Sequence, residues 1–229
     1  TTVNVSVEHS FTRPEKLPKF LGAADYLTLL NNISIQDTGQ ERYSRDLINK
    51  YRTGYDPELY PDVNWIDAIT KDYAHNTRAT LDLSGGNERL RYSVVAAYYN
   101  ESGITETDKR QNYNSNLTVN RFNLRTNVDM NVTPTTLLNV NVGGYLQTRN
   151  APKEGIDDVF SAAFKATPFA VPTIYENGMI PKPRENENPW AKLTQSGFYR
   201  EGRSKLESLF SVEQDLHCIT DGLKAKVIF

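Results

Sequence analysis

The chain has 229 residues, with 26 Lys and Arg against 28 Asp and Glu and a formal net charge of -2. This balance, without a basic cluster, excludes a nucleic-acid surface built on phosphate neutralisation. No apolar run approaches the ~18 residues of a membrane-spanning helix. Aromatic residues make up 10% of the chain, more than a disordered chain carries, so we expect folded structure. Cys218 is the only cysteine, which excludes an intrachain disulfide.

Alternation of apolar and polar residues predicts seven β-strands and no long helix. The clearest strand runs from Arg121 to Val132, where polar side chains at odd positions alternate with mainly apolar ones at even positions. In chain order, the mainly apolar positions of the seven strands are Val3, Val5 and Val7; Thr77, Ala79, Leu81 and Leu83; Tyr92, Val94, Ala96 and Tyr98; Phe122, Leu124, Thr126, Val128, Met130 and Val132; Leu138, Val140 and Val142; Phe210, Val212 and Leu216; and Leu223, Ala225, Val227 and Phe229.

The connections contain some local order. Apolar residues at Ala24, Leu27 and Leu30 predict a short helix, and residues 65–69 predict another turn or two of helix. Residues 176–190, rich in Pro, Asn and Gly, show no periodicity and are predicted to form an irregular loop.

The connections alternate in length. Three are turns rich in Gly, Asn, Asp and Pro, and three are much longer. The short turns lie at residues 85–88, 133–135 and 220–222, and the long connections at roughly 11–75, 102–115 and 150–202. An antiparallel meander with this alternation places every long connection at one end, as transmembrane β-barrels of the outer-membrane type do. Residues 116–132 are also long enough for one tilted membrane strand with an extension.

Two other classes of protein fit parts of the same pattern. A soluble secreted β-domain that binds carbohydrate would also show alternation, although soluble strands are most often about 5 to 6 residues long. An extracellular hydrolase would need a pair of carboxylates, for which Glu185 and Glu187 are candidates. The sequence contains no phosphate-binding loop and no zinc-binding pattern, and His9, His75 and His217 are far apart in the chain. We therefore expect no enzymatic activity, no metal and no cofactor.

Three segments together resemble one family. They are DPELYPDVNWIDAI (56–69), LSGGNERLRYSVVAAYYNESGI (83–104) and NRFNLRTNVDMNVTPTTLLNVNVGG (120–144). The YP-x-x-x-W loop, the SGG turn before an R-Y strand and the R-x-N-x-R-x-N strand resemble the SusC/RagA family of TonB-dependent outer-membrane transporters. Further similar stretches, at 17–31, 166–178, 188–200 and 221–227, follow in the same order.

The resemblance implies an all-β fold: an antiparallel meander that is a partial segment of a large transmembrane barrel, with long extracellular loops that carry short helices. The family barrel has ~22 strands and a plugged lumen. Residues 1–229 match only a part that follows the plug. The resemblance further implies the outer membrane of a Gram-negative bacterium, import of glycans or peptides, a SusD-type surface lipoprotein as partner, and coupling to the TonB complex through the N-terminal part of the parent protein.

Two sets of side chains are candidates for function. In the strand 121–132, we expect the odd residues to face the plug or a wet lumen and the even residues to face lipid. The lumen-facing candidates are Arg121, Asn123, Arg125, Asn127 and Asp129. In the loops, Tyr175, Trp190 and Tyr199 are candidates for stacking on a sugar or peptide, and the alternative is that they pack the loops together. Trp65 is expected to anchor its loop.

The predicted sheet has a consequence for the chain on its own. Seven strands of a larger barrel leave two unpaired edges and an exposed apolar face. We therefore expect that residues 1–229 do not form an autonomous soluble protein.

Overall fold

The computed structural model describes the whole chain, from Thr1 to Phe229. Seven strands form one antiparallel sheet in which each strand pairs with the next along the chain. They are β1 (Thr2–Thr12), β2 (Ala74–Gly86), β3 (Leu90–Ser102), β4 (Thr118–Thr133), β5 (Thr136–Pro152), β6 (Phe198–Asp215) and β7 (Lys224–Ile228). The two outer strands, β1 and β7, do not pair with each other. The sheet is therefore an open meander, as predicted, and has the form of a barrel segment.

The long connections all lie at one end of the sheet and the short ones at the other, which confirms the predicted arrangement. Thr118, at the start of β4, pairs with both Ser102 at the end of β3 and Asn150 near the end of β5. At the opposite end, β2 and β3 join through a tight turn in which the Asn87 side chain accepts hydrogen bonds from the next backbone amides. The last turn is longer than predicted, because Leu216 lies in it and not in β6.

Five helices lie in the long connections: α1 (Ala23–Thr38), α2 (Arg45–Thr53), α3 (Trp65–Ile69), α4 (Ile156–Lys165) and α5 (Pro189–Thr194). The sequence predicted α3 and the start of α1, but not α2, α4 or α5. Helix α1, with 16 residues, extends beyond the short helix predicted from Ala24, Leu27 and Leu30. Asn31 holds its second half in place, because its side chain bonds the backbone of Arg42 and Tyr43. None of the helices is long and apolar enough to cross a bilayer.

The packed core of the chain lies among the loops. One cluster joins α3, α4 and α5 through the buried side chains of Trp65, Ile66, Ile69, Val159, Ala163 and Leu193. A smaller one joins α1 and α2 through Ala24, Leu27 and Ile48. The central connection joins them through hydrogen bonds, from the Glu106 amide to the Ile69 carbonyl and from the Tyr113 hydroxyl to the Thr194 carbonyl, both at 2.9 Å. We call the three long connections together the loop cap (residues 13–73, 103–117 and 153–197). Within the sheet, by contrast, most side chains are exposed or half-buried on both faces.

Candidate functional site

The sheet separates its side chains into two chemically different faces. We call the first the polar face. It carries all five residues expected to face a lumen, Arg121, Asn123, Arg125, Asn127 and Asp129, because alternate residues of β4 point to the same side. Their partners on β3 and β5 include Tyr99, Ser93, Arg91, Gln147, Tyr145, Asn141 and Asn139. Further out, β2 adds Arg78 and Asp82, and β6 adds Arg203, Lys205 and Glu207.

Side chains on the polar face bind one another across the strands. The Asn139 amide donates to the Asp129 carboxylate at 2.8 Å, and the Ser211 hydroxyl donates to the Asn139 oxygen at 3.1 Å. This chain links β4, β5 and β6. The Arg121 guanidinium lies over the Tyr145 ring at 4.2 Å, while its Nε is buried without a hydrogen-bond partner. That the polar face points into a lumen stays a prediction.

The second face, which we call the apolar face, carries a continuous band of hydrophobic side chains. On β4 the band runs from Phe122 to Met130, nine residues in which the even positions belong to this face. The band continues through the paired strands as Val3, Val5 and Val7; Ala79, Leu81 and Leu83; Tyr92, Val94, Ala96 and Tyr98; Val140, Val142 and Leu146; and Leu206, Phe210 and Val212. Its length matches the ~9–11 residues with which a tilted strand crosses a bilayer.

Polar residues border the band at both ends. At the loop end, the next cross-strand row is Asn100, Asn120 and Thr148. At the turn end, Thr136 and Gln214 follow the band on β5 and β6, whereas on β4 the exposed Val132 follows Met130 at a register shift. Within the band many large side chains are open to their surroundings, for example Val5 at 71% and Leu206 at 78% exposure. An uncovered band of this size marks a surface that contacts lipid or another protein.

A cavity of about 880 Å³ lies in the loop cap. Its lining combines charged groups of both signs with amides and prolines: Arg110, Gln111, Glu154, Gly178, Ile180, Pro181, Lys182, Pro183, Asn186, Glu187, Asn188, Ala191, Lys192, Gln195 and Ser196. No aromatic ring lines it. We call it the loop-cap cavity.

Arg110, which lines the cavity, forms an ion pair with Asp108. Both side chains belong to the central loop, 103–117, and Asp108 is 7% exposed. Arg110 donates to the Asp108 carboxylate through Nε at 2.9 Å and Nη2 at 2.7 Å, and through Nη1 to the carbonyl of Gly178 at 2.9 Å. These hydrogen bonds lower the pKa of Asp108 from 3.8 to about 2. Asp108 also accepts from Gln195 at 3.0 Å, so the pair joins two loops.

Helix α5 separates the cavity from the packed core of the loop cap. Ala191, Lys192 and Gln195 line the cavity, whereas Leu193 is buried in the core. Lys192 forms an ion pair with Glu187, which raises the pKa of the ammonium group. The α5 helix begins at an Asn188 cap, whose side chain accepts from the Ala191 amide at 3.2 Å. One short helix therefore supplies both packing and cavity lining.

The structure does not bring the three predicted aromatic contacts together in the cavity. Trp190 packs against the loop core, and its buried indole N–H has no hydrogen-bond partner. Tyr175 is half-buried in a turn where its backbone bonds Met179 and Gly178. Tyr199 is 52% exposed on β6, opposite Ala151. Trp65 does anchor its loop, as expected, since it is 4% exposed within the core.

The structure also shows where the histidines and the candidate carboxylate pair of the sequence lie. His9 and His75 are not apart, because β1 pairs with β2 and brings their rings to 5.7 Å, stacked beside Phe11. Chain separation was a poor guide, since the long first connection returns β2 to β1. Glu185 and Glu187 are both exposed, and Glu187 is bound to Lys192. No cluster of three or more His, Cys, Asp or Glu side chains capable of holding a metal ion exists in the chain.

The cavity residues were not predicted from the sequence. Most of them lie in the aperiodic stretch 176–190 and in the central loop, and the others are Glu154 and residues of α5 or just after it; no pattern in these segments indicates which side chains converge. The one available signal was Asn188-Pro189, an N-cap followed by proline at the first helical position. It predicts a helix start and hence a fixed orientation for the residues beyond it.

No protein-family model matches the sequence, and no curated protein matches it either. Several solved structures do match the fold of the chain. The fold is similar to that of the RagAB peptide transporter. That structure superposes with a TM-score of 0.63 at 14% identity, covering 98% of this chain and 27% of the transporter chain.

Two further structures of the RagAB peptide importer give the same result. In the open-open state the TM-score is 0.53 at 13% identity, with 92% of this chain and 27% of the importer chain covered. In the closed-closed state the TM-score is 0.51 at 12% identity, with 93% and 29% covered. The chain therefore spans less than a third of the length of the proteins that it resembles. At these identities the likeness shows the fold.

Proposed function

We propose that this chain is a wall segment and part of the extracellular cap of an outer-membrane nutrient importer of the SusC/RagA type. In this proposal the seven strands belong to a larger barrel, the polar face lines the plugged lumen and the apolar face contacts lipid. The loop cap lies outside the cell, where a SusD-type lipoprotein closes over it. Energy comes from the TonB complex through a part of the importer outside these residues.

The separation of the two faces carries the proposal. A nine-residue apolar band across the sheet, bordered by polar rows, has the height that a bilayer requires of tilted strands. The alternative of a soluble secreted β-domain would leave this band in water, because the loop cap does not cover it. The likeness to the RagAB structures supports the same reading, since it extends over 98% of the chain.

The loop-cap cavity favours peptides over glycans as cargo. Sugar sites commonly stack the pyranose on an aromatic ring, and this cavity has none. It offers instead a cation at Lys182 and a carboxylate at Glu154, neither of which forms an ion pair within the chain, beside the Arg110–Asp108 and Lys192–Glu187 pairs. Groups of both signs suit the two charged termini of a short peptide, and the amides of Gln111 and Asn186 suit its backbone.

Uptake by cells that express the full-length protein tests the proposal. We expect the protein in the outer-membrane fraction and import of fluorescent oligopeptides that stops when TonB is deleted. Lys182→Glu should weaken uptake of acidic peptides several-fold, because it reverses a cavity charge. Arg184→Glu is the matched control, since Arg184 is exposed and lies outside the cavity lining.

The outcomes separate the parts of the proposal. Recovery of the protein in the soluble fraction would refute the membrane assignment. Import of glycans without peptides would refute the cargo but leave the importer in place. Equal effects of the two charge reversals would show that the loop-cap cavity does not hold the peptide.

A further inference from the structure

Besides the loop-cap cavity, a groove lies at the loop end of the apolar face. It measures about 570 Å³ and is lined by Asn112, Tyr113, Asn114, Thr118, Asn120, Thr148, Asn150, Phe198 and Arg200. The six strand residues among these occupy the even positions of β4, β5 and β6, and therefore share the face that carries the apolar band. The other three come from the central loop. We call it the outer groove.

The outer groove begins where the apolar band ends. Asn120 and Thr148 form the cross-strand row directly after Phe122 and Leu146, a step of roughly 7 Å along the strands. Tyr98 joins the two levels: its ring belongs to the band, and its hydroxyl donates to the Asn120 side-chain oxygen at 2.9 Å. A tyrosine with an apolar ring and a bonded hydroxyl is typical of a membrane–water interface.

The lining of the groove is polar and has no carboxylate. Arg200 is its only cation and lies over the Phe198 ring at 5.5 Å. The Phe198 ring in turn lies 5.8 Å from that of Tyr113, whose hydroxyl donates to the Thr194 carbonyl at 2.9 Å. These contacts place the two rings and the guanidinium next to one another in the groove.

Some side-chain amide groups of the groove already have hydrogen-bond partners within the chain, and others do not. Asn150 donates to the carbonyls of Asn114 and Asn116 at 2.8 and 2.9 Å, which fixes its side chain. Asn120 accepts from Tyr98 and from Asn100 through its oxygen, which leaves its two N–H donors without a partner in the chain. Free amide donors, hydroxyls and a stacked ring are the groups that bind saccharide hydroxyls, and a guanidinium binds phosphate.

We propose that the outer groove binds the phosphorylated saccharide headgroup of a glycolipid in the outer leaflet. This inference rests on the proposed function, because it takes the apolar face to be in lipid. The acyl chains of the same molecule lie against the band below, along Phe122 and Leu146. A soluble sugar has no use for that continuous apolar surface, which is why the groove is assigned to a lipid headgroup.

Binding of defined lipids to the full-length protein in detergent tests the assignment. The probe is a diphosphorylated disaccharide glycolipid, with its dephosphorylated form, its deacylated headgroup and phosphatidylglycerol as comparisons. We expect the intact glycolipid to bind at least about tenfold more tightly than each of the three, because each lacks one of the recognised groups. Native mass spectrometry or thermophoresis measures these affinities.

Variants of two arginines on β6 locate the site. Arg200→Gln should weaken glycolipid binding about tenfold, and Arg200→Lys should restore part of the loss, because it retains the charge without the planar fork. Arg203→Gln is the matched control on the polar face of the same strand. Because Arg200 is exposed, its replacement should leave the folded barrel intact, which heat-dependent gel mobility checks.

Three results would overturn the inference. Arg200→Gln could bind the glycolipid as wild type does, the deacylated headgroup could compete equally well, or phosphatidylglycerol could bind as tightly. The proposed importer fails separately, through absence from the outer membrane or absence of peptide uptake. Peptide uptake with unchanged glycolipid affinity in Arg200→Gln would therefore reject the outer groove alone.

Discussion

The indole N–H of Trp65 donates a hydrogen bond of 3.0 Å to the backbone carbonyl of Thr167, and so joins the first and third long connections. The Val63 amide adds a second bond beside it, to the carbonyl of Pro168 at 3.0 Å. Around them, α3 packs against α4 and α5. The loop cap is therefore one packed unit, although its parts lie about a hundred residues apart in the chain.

Replacing Trp65 should loosen the loop cap. Trp65→Ala removes the largest side chain of the core and its hydrogen bond, at a cost of ~3–5 kcal/mol in the free energy of unfolding. Trp65→Phe keeps much of the packing and leaves the Thr167 carbonyl unpaired, at a smaller cost of ~1–3 kcal/mol. Urea unfolding and limited proteolysis of the long connections in the full-length protein measure both. Tyr55→Ala is the control: its ring is 73% exposed, so the variant should change neither the unfolding free energy nor the rate of proteolysis.

The sequence predicted the sheet well and the loop cap poorly, for physical reasons. Strand alternation is local, because the pleat alone sends Arg121 and Phe122 to opposite faces. The loop-cap cavity depends on contacts between distant segments, such as Gln195 with Asp108, which leave no periodic trace. Helix α5 is too short for periodicity, and α1 depends on Asn31 bonding residues that follow the helix.

The stacking of the His9 and His75 rings shows another limit of prediction from the sequence. The predicted meander places β2 beside β1 after a connection of about sixty residues, but no local pattern indicates which residues of the two strands lie opposite each other. Register between neighbouring strands was thus the missing information, both for this pair and for the rows that define the apolar band.

The two faces of β4 should respond differently to a charge. Leu124→Arg places a guanidinium on the apolar face, at a cost of ~2–4 kcal/mol if that position lies near the bilayer midplane. Asn123→Arg puts the same side chain on the polar face and should be tolerated. The fraction of folded barrel, from heat-dependent gel mobility of outer-membrane preparations, reports the difference. Equal losses of folded barrel in the two variants would count against lipid contact at Leu124.

Gly144 should be far less replaceable than its neighbour Gly143. A Cβ at Gly144 would collide with the backbone carbonyl oxygen of Lys205 on β6, which no side-chain movement relieves. At Gly143 the nearest atoms are 3.8 Å away, which is ordinary contact. Gly144→Ala should therefore force β5 and β6 apart and cost ~1–3 kcal/mol, whereas Gly143→Ala should stay within about 1 kcal/mol of wild type. Urea unfolding in liposomes compares them, and similar midpoints would mean that the strands separate without cost.

Acid should loosen the contact between the central loop and the third connection. The hydrogen bonds from Arg110 lower the pKa of Asp108 to about 2 from 3.8, so the folded loop cap binds this proton less readily than the unfolded chain does. The resulting stabilisation is complete above the unfolded value of 3.8 and is lost as the pH falls through about 2. Protonation of Asp108 weakens the hydrogen bonds that its carboxylate accepts from Arg110 and Gln195.

Asp108→Asn separates this effect from general acid denaturation. The variant loses the charge at every pH, so wild type should be more stable than the variant at neutral pH, and the gap should close as the pH falls from 3.8 toward 2. Glu176→Gln is the control, because that residue is exposed and lies in the third connection without an ion pair. Hydrogen exchange of residues 103–117 in the full-length protein measures the local opening. A gap that stays constant across this pH range would show that the charge of Asp108 does not hold the two loops together.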